Sequence, residues 1–227
     1  AGNGPNALPP PSPMMSGMAR GASIIAVNVF GASDYTYGSD MIAGLNRVYA
    51  LRSTFNIASA NMSIGGGLYS ATCDTADGGA MKTAIDQLRS VNIATVIAAG
   101  NNGSTNSMSW PGCVSTAISV GSTDKSDIVS SFSNATSFMS LWAPGSSILS
   151  SVIGGGYGYM SGTSMATPHV TGTWAVLKQA NPSATVTQIL TALQSTGKLI
   201  TDTRFGGAVT KPRININDAL AQIGPAP

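Results

Sequence analysis

Apolar positions along this chain fall into two rhythms. From Asp40 to Arg52, Met41, Leu45, Val48 and Leu51 recur at helical spacing, and Ser39 or Asp40 is placed to cap the first turn. Ala80 to Val91 repeats the pattern with Met81, Ile85 and Leu88 on one face. Between and around these helices lie short runs that are apolar nearly throughout: Ser23 to Phe30, Ile57 to Ser63 and Ile93 to Ala99. Such runs suit strands buried on both faces. Strand, helix, strand, helix, strand implies right-handed crossovers and a parallel sheet with helices on both sides. Short strands are expected at Ala117–Val120 and Phe138–Leu141, and a long helix from about Ser164 to Gln179. A further helix spans about Thr185 to Thr196, opened by the capping-box pattern Thr185-x-x-Gln188 and stopped by Gly197. A short helix closes the pattern near Asn217 to Ile223. Residues 1–16, with Pro9-Pro10-Pro11 and Pro13, read as an irregular loop, and residues 17–227 as one α/β domain.

Composition narrows the partners. Of 227 residues, 9% are charged against the usual ~25%, and all nine acids are Asp. Ser, Thr, Asn and Gly carry the polar surface, as suits a protein that works outside cells. The net charge is +2, and the basic residues are scattered singly from Arg20 to Arg213, which argues against a nucleic-acid binder. No apolar run reaches the ~18 residues of a membrane span, and no stretch of these residues reads as a signal peptide. Cys73 and Cys113 have no metal-ligand spacing; they are either two buried thiols or one disulfide of an oxidising compartment.

Three segments carry candidate chemistry. Gly162-Thr163-Ser164-Met165-Ala166-Thr167-Pro168-His169-Val170 sets a serine among small residues at the start of a buried helix, where the dipole and free N–H groups favour developing negative charge. Pro168 is expected near the first turn, where a missing N–H costs little. The same pattern also suits a serine capping an ordinary core helix. Val96-Ile97-Ala98-Ala99-Gly100-Asn101-Asn102-Gly103 ends a strand in a turn at the C-terminal edge of the sheet, where open α/β sheets bind ligands. Asn101 there can offer its amide to an oxyanion, although Asn-Asn-Gly is also plain turn chemistry. Asn61-Met62-Ser63-Ile64-Gly65-Gly66-Gly67 leaves backbone groups open to an extended peptide. A phosphate loop is disfavoured, because the Lys-Ser/Thr ending is absent.

Taken together, these segments resemble the subtilisin-like serine proteases, the subtilases. The likeness continues through Gly17 to Ala22, Ser130-Ser131-Phe132-Ser133-Asn134 and Ala143-Pro144-Gly145, in the family's order, from Gly17 to about Ile223. Ser164 is not in a G-x-S-x-G elbow, which argues against an α/β-hydrolase esterase. The resemblance implies a three-layer, doubly wound parallel sheet and a serine endopeptidase. Ser164 would be the nucleophile, and the Asn101 side chain with the Ser164 N–H would form the oxyanion hole. Ser63, Ile64, Gly65 and Gly66, with Ala98, Ala99 and Gly100, would pair with the substrate and line its pocket. Trp110, in Ser109-Trp110-Pro111-Gly112, would form the far wall. No charge falls in these segments, so an apolar or bulky substrate side chain is expected. Because the loops after Gly67 and after Gly112 would border one pocket, Cys73 and Cys113 are expected to pair. Closing that loop contributes roughly 4 kcal/mol in the chain-entropy model.

The resemblance also implies a truncation. In this family the triad runs Asp, then His, then Ser along the chain. Only sixteen residues precede Gly17; they hold no Asp and no His, and Ala1-Gly2 is similar to the tail of the histidine helix. Asp34 and Asp40 match no family motif. His169, the sole histidine, lies five residues after Ser164 and should point about 140° away on the helix, so it reads as structural. An N-terminally truncated catalytic domain is expected, inactive alone and of low stability. No cofactor is required. Calcium is unsupported, since Ser140 stands where many relatives have a ligating Asp. The expected partner is a peptide or protein substrate, met outside the cell by a monomer. The competing function is a peptide-binding protein of the same fold without the chemistry.

Overall fold

The computed structural model describes residues 16–31, 35–75, 78–204 and 208–224. The expected N-terminal loop, apart from Ser16, and Asp34 lie outside the described residues. The elements are α1 (Gly38–Leu51), β1 (Ser59–Met62), β2 (Gly66–Tyr69), α2 (Gly79–Ser90), β3 (Ala94–Ala98), β4 (Met108–Trp110), β5 (Ile118–Thr123), β6 (Leu141–Pro144), β7 (Ile148–Ser151), β8 (Tyr157–Met160), α3 (Thr163–Ala180), α4 (Val186–Thr196), β9 (Lys198–Asp202), β10 (Val209–Arg213) and α5 (Ile216–Ile223). Six strands form one sheet in the order β1-β3-β5-β6-β10-β9. All neighbours in it are parallel except the β10–β9 pair.

The sheet separates two apolar layers, because alternate strand residues face opposite ways. On β3, Ile97 joins Met41, Leu45, Met81 and Ile85 under α1 and α2. Val96 joins Ile118, Val120 and Leu141 against α3, α4 and α5. α3 presents Ala166, Val170, Trp174 and Leu177 to that second layer, one row at helical spacing, all fully buried. This row lays the helix across the sheet and sets its N-terminus at the ends of the strands. Gly145, just past β6, fixes that end: its carbonyl accepts from Gly162 N–H at 2.8 Å, and a Cβ on it would meet Gly162 O at 2.6 Å.

Several boundaries differ from the sequence reading. Ser23–Phe30 is not a buried strand. No ladder pairs it with a described strand, and Ile24, Ile25 and Phe30 are exposed. Only Val27 and Val29 are half-buried, against α1 at Gly44. Apolar β-branched residues favour extended backbone, but a strand also needs a neighbour whose N–H and C=O meet its own. The expected strand at Phe138 begins instead at Leu141. α1 starts after Tyr37, which makes no side-chain cap, so neither Ser39 nor Asp40 caps it. At α4 the reciprocal bonds of Thr185 and Gln188 are present. The hairpins β7–β8 and β9–β10 were not foreseen.

Gly121 pairs with Trp142 across β5 and β6. A Cβ at 121 would fall 2.2 Å from the indole and 2.9 Å from Met139 Sδ. Both neighbours are fully buried, so neither can retreat into solvent. Gly121→Ala is expected to destabilise the fold by about 1–3 kcal/mol in chemical denaturation, with part of the loss recovered by Trp142→Phe in the same chain.

Candidate active site

Three chain segments converge at the N-terminus of α3. Ser164 is its second residue, half-buried, after the N-cap Gly162. Gly162 has no side chain to cap the helix, and Asn101 takes over that role from the end of β3. Its Oδ1 accepts from Thr163 N–H at 2.9 Å and from Thr163 Oγ1 at 3.0 Å. An amide has one oxygen end and one nitrogen end. With Oδ1 fixed on the helix, Nδ2 is the end left free, and it has no hydrogen-bond partner among the described residues. A Cβ built on Gly162 would stand 3.6 Å from Asn101 Nδ2 and 3.6 Å from Ser164 N. The two donors therefore flank one small space beside the serine.

The third segment meets Ser164 from β1. Ser63 Oγ donates to Ser164 O at 2.8 Å, and Ser164 Oγ donates to Ser63 O at 3.4 Å. The first bond has a cause within the helix. Pro168 sits in the second turn, not the first, and has no N–H to give to the carbonyl four residues back. That carbonyl is Ser164 O, which takes the Ser63 hydroxyl instead. Asn61 Nδ2 donates to Ser63 Oγ at 3.1 Å and steadies it.

The remaining predicted positions are distributed as follows. Gly65 packs on the chain at Ser109 and Trp110, where a Cβ would meet Trp110 O at 3.0 Å. Gly66 is exposed with open space around it and pairs with Trp110 across β2 and β4; Ile64 joins the α1–α2 core layer. Trp110 is half-buried and borders Gly38 at the start of α1. Ala98 and Ala99 are buried. Ala99 N–H goes to Val120 O, and its carbonyl accepts from Ser109 N–H. Gly100 N–H goes to Thr163 Oγ1, and its carbonyl accepts from Asn134 N–H. The N–H groups of Ala99 and Gly100 are thus committed to building the turn under Asn101. Cys73 and Cys113 are joined in a disulfide, with Cα atoms 5.4 Å apart. Ser140 is buried and bonded to Ser119 Oγ and N–H.

Sequence reasoning missed Thr163 and Asn134. Thr163 is fully buried and holds both Asn101 and the Gly100 N–H. Asn134 is also fully buried; its Oδ1 accepts from Asn102 N–H and Ser104 N–H at 3.0 and 3.1 Å. Both fall in segments that carry the family likeness, Gly162–Val170 and Ser130–Asn134, but neither residue was read as part of the site.

Ser164 Oγ has no bond to an imidazole, carboxylate or amine among the described residues. His169 Nδ1–H donates to Met165 O at 2.8 Å, within its own helix. Burial holds its pKa below the ordinary 6.5, against the Met165 bond, which favours the cation. No group of three or more His, Cys or Asp side chains able to hold a metal occurs among the described residues.

A family model described as the Subtilase family matches residues 1–211. The chain is 38% identical over 206 residues to alkaline serine exoprotease A of Vibrio alginolyticus, covering 89% of this chain and 36% of that protein. It is 35% identical over 206 residues to subtilisin E of Bacillus subtilis (strain 168), covering 89% of this chain and 50% of that one. The chain thus spans about a third to a half of the length of these relatives. A crystal structure of a cold adapted subtilisin-like serine proteinase superposes with TM-score 0.73 at 34% identity, covering 86% of this chain and 67% of the other. Proteases from Pseudoalteromonas arctica PAMC 21717 give 0.78 at 28%, covering 92% and 65%.

The depressed pKa of His169 has a measurable consequence. The fold prefers the neutral ring, so its contribution to stability is complete above pH ~6.5 and is lost as pH falls through the folded pKa below that. Melting temperature is expected to decline on acidification from pH 7 to 5. His169→Gln, which cannot titrate, should flatten that window; an unchanged slope would assign the decline to other groups.

Proposed function

The chain belongs to the subtilase family, and on that premise we propose that it carries the nucleophile and oxyanion hole of a serine endopeptidase. Ser164 Oγ attacks the substrate carbonyl carbon as its proton passes to a base. The carbonyl oxygen, now an anion, takes hydrogen bonds from Asn101 Nδ2 and Ser164 N–H. The tetrahedral species collapses, the amine leaves with the proton, and water then hydrolyses the acyl-serine by the reverse sequence. The observation that carries this reading is the fixed Asn101 amide. Its oxygen end is locked on Thr163, and its nitrogen flanks the same space as the Ser164 N–H.

The base belongs to polypeptide beyond the described residues. His169 is the only histidine of the 227, and it is engaged with Met165. The peptide lies along Ser63 to Gly66, with Trp110 at the side of the pocket. The absence of charge from these segments favours an apolar or bulky side chain before the scissile bond. The reaction needs no cofactor, and the protein acts as a monomer outside the cell, a setting in which the Cys73–Cys113 disulfide persists.

Two measurements test the proposal. The purified 227-residue chain should hydrolyse a chromogenic peptide no faster than background. Loss of the histidine costs about 10⁶ in turnover, a figure borrowed from subtilisin itself. Robust hydrolysis that disappears in Ser164→Ala would show that the chain holds its own base. In the complete enzyme, Gly162→Ala places a methyl between the two donors, at a backbone angle that any residue adopts (φ 163°). It should lower kcat by about tenfold or more with little change in melting temperature. An unchanged kcat would place the oxyanion elsewhere. Peptide binding without any Ser164-dependent turnover in the complete protein would favour the non-catalytic reading.

A further inference from the structure

Asn101 hangs from a turn, Ala99 to Ser104, that is itself held from behind. Asn134 binds this turn on both sides of Asn101. Its N–H donates to Gly100 O at 2.9 Å, and its Nδ2 donates to Ala99 O at 3.0 Å. Its Oδ1 accepts from Asn102 N–H and Ser104 N–H. Gly103 N–H adds a bond to Phe132 O at 2.7 Å. The position of Asn101 therefore follows the position of the loop from Ser130 to Asn134.

That loop is held by one cation. Asp202, the last residue of β9, is 1% exposed. Its two oxygens accept from Arg204 Nε and Nη2, both at 2.8 Å, which fixes the guanidinium plane. The other face of the fork meets the loop. Nη1 donates to Ser130 O at 2.8 Å and Ser131 O at 2.6 Å, and Nη2 donates to Ser133 O at 2.7 Å. Three carbonyls of one short segment converge on a single side chain. A lysine could not reproduce this, because its ammonium is a point charge with three donors, not a planar fork of five.

We propose that Arg204, oriented by Asp202, is a positioning residue for the oxyanion donor Asn101, acting through the Ser130–Asn134 loop. The inference rests on the reading of Asn101 given above. Arg204 touches neither the serine nor Asn101. Its effect on the reaction is confined to the accuracy with which the Asn101 amide meets the oxyanion. That anion exists in the transition state and not in the bound substrate, so the effect should fall on kcat and spare KM.

The test is a double-mutant cycle in the complete enzyme, reading kcat and KM on a chromogenic peptide together with melting temperature. Arg204→Lys and Arg204→Gln are each combined with Asn101→Gly. Arg204→Lys should lower kcat by about tenfold with KM within about twofold, whereas in the Asn101→Gly background it should change kcat by less than about twofold, because the donor it positions is gone. If Arg204→Gln does not fold, Arg204→Lys, which keeps the charge beside Asp202, carries the test. A folded Arg204→Lys with unchanged kcat would overturn the proposal. So would a loss of kcat that persists undiminished in the Asn101→Gly background, since Arg204 would then act on the fold at large. Should Asn101→Gly alone leave kcat unchanged, the oxyanion reading fails and takes this one with it; a large Asn101→Gly effect beside a silent Arg204→Lys defeats the positioning role alone.

Discussion

The hydrogen bond from Thr163 N–H to Asn101 Oδ1 joins residues 62 apart in sequence, and the site depends on it. A helix begins with N–H groups that lack partners. At α3 the N-cap is glycine, so the first of these is met from outside, by a side chain at the end of a central strand. That bond caps the helix, ties it to the sheet edge and decides which end of the Asn101 amide faces the serine. Reversing the amide would set nitrogen against nitrogen at Thr163. The orientation needed for an oxyanion donor is thus the one that the helix N-terminus enforces.

A second local irregularity builds the other side. Pro168 breaks one rung of the α3 ladder and frees the carbonyl of Ser164, which is drawn to Ser63 at the end of β1. The start of α3 is consequently held between two strand ends, Ser164 at β1 through Ser63 and Thr163 at β3 through Asn101. The apolar row on α3 provides the rigidity, and Gly145 permits the close approach of Gly162. Almost no charge enters this arrangement. Polar geometry here rests on Ser, Thr and Asn, in keeping with a chain that is 9% charged.

Much of this was legible from the residues. Helical spacing located α2, α3 and α4 to within a turn, and the Thr185–Gln188 pattern foretold its own cap. The segment holding Asn101 was read as lying at the C-terminal edge of the sheet, and in the fold it is bonded to the start of α3, which is bonded in turn to Ser63. Pairing was the weak point. Ser23–Phe30 has the composition of a buried strand, yet composition specifies extended backbone and not the neighbour that would complete it. The support behind Asn101 was invisible for a different reason. Asn134 lay in a segment with the family likeness but with no assigned task, while Asp202 and Arg204 are polar residues in or beside loops whose local sequence does not distinguish a buried, fully bonded group from a solvated one. Only the long-range contacts, such as Arg204 to Ser131 across 73 positions, reveal it.

In the proposed reaction, Asn101 Nδ2 and Ser164 N–H share one oxygen. A structure of the protein treated with a peptide boronate decides this, because the boronate forms a tetrahedral adduct on the nucleophile. The expected result is an adduct on Ser164 Oγ, with one boronate oxygen within about 3 Å of both Asn101 Nδ2 and Ser164 N. An adduct on another residue, or one on Ser164 whose oxygens turn away from Asn101, would contradict it.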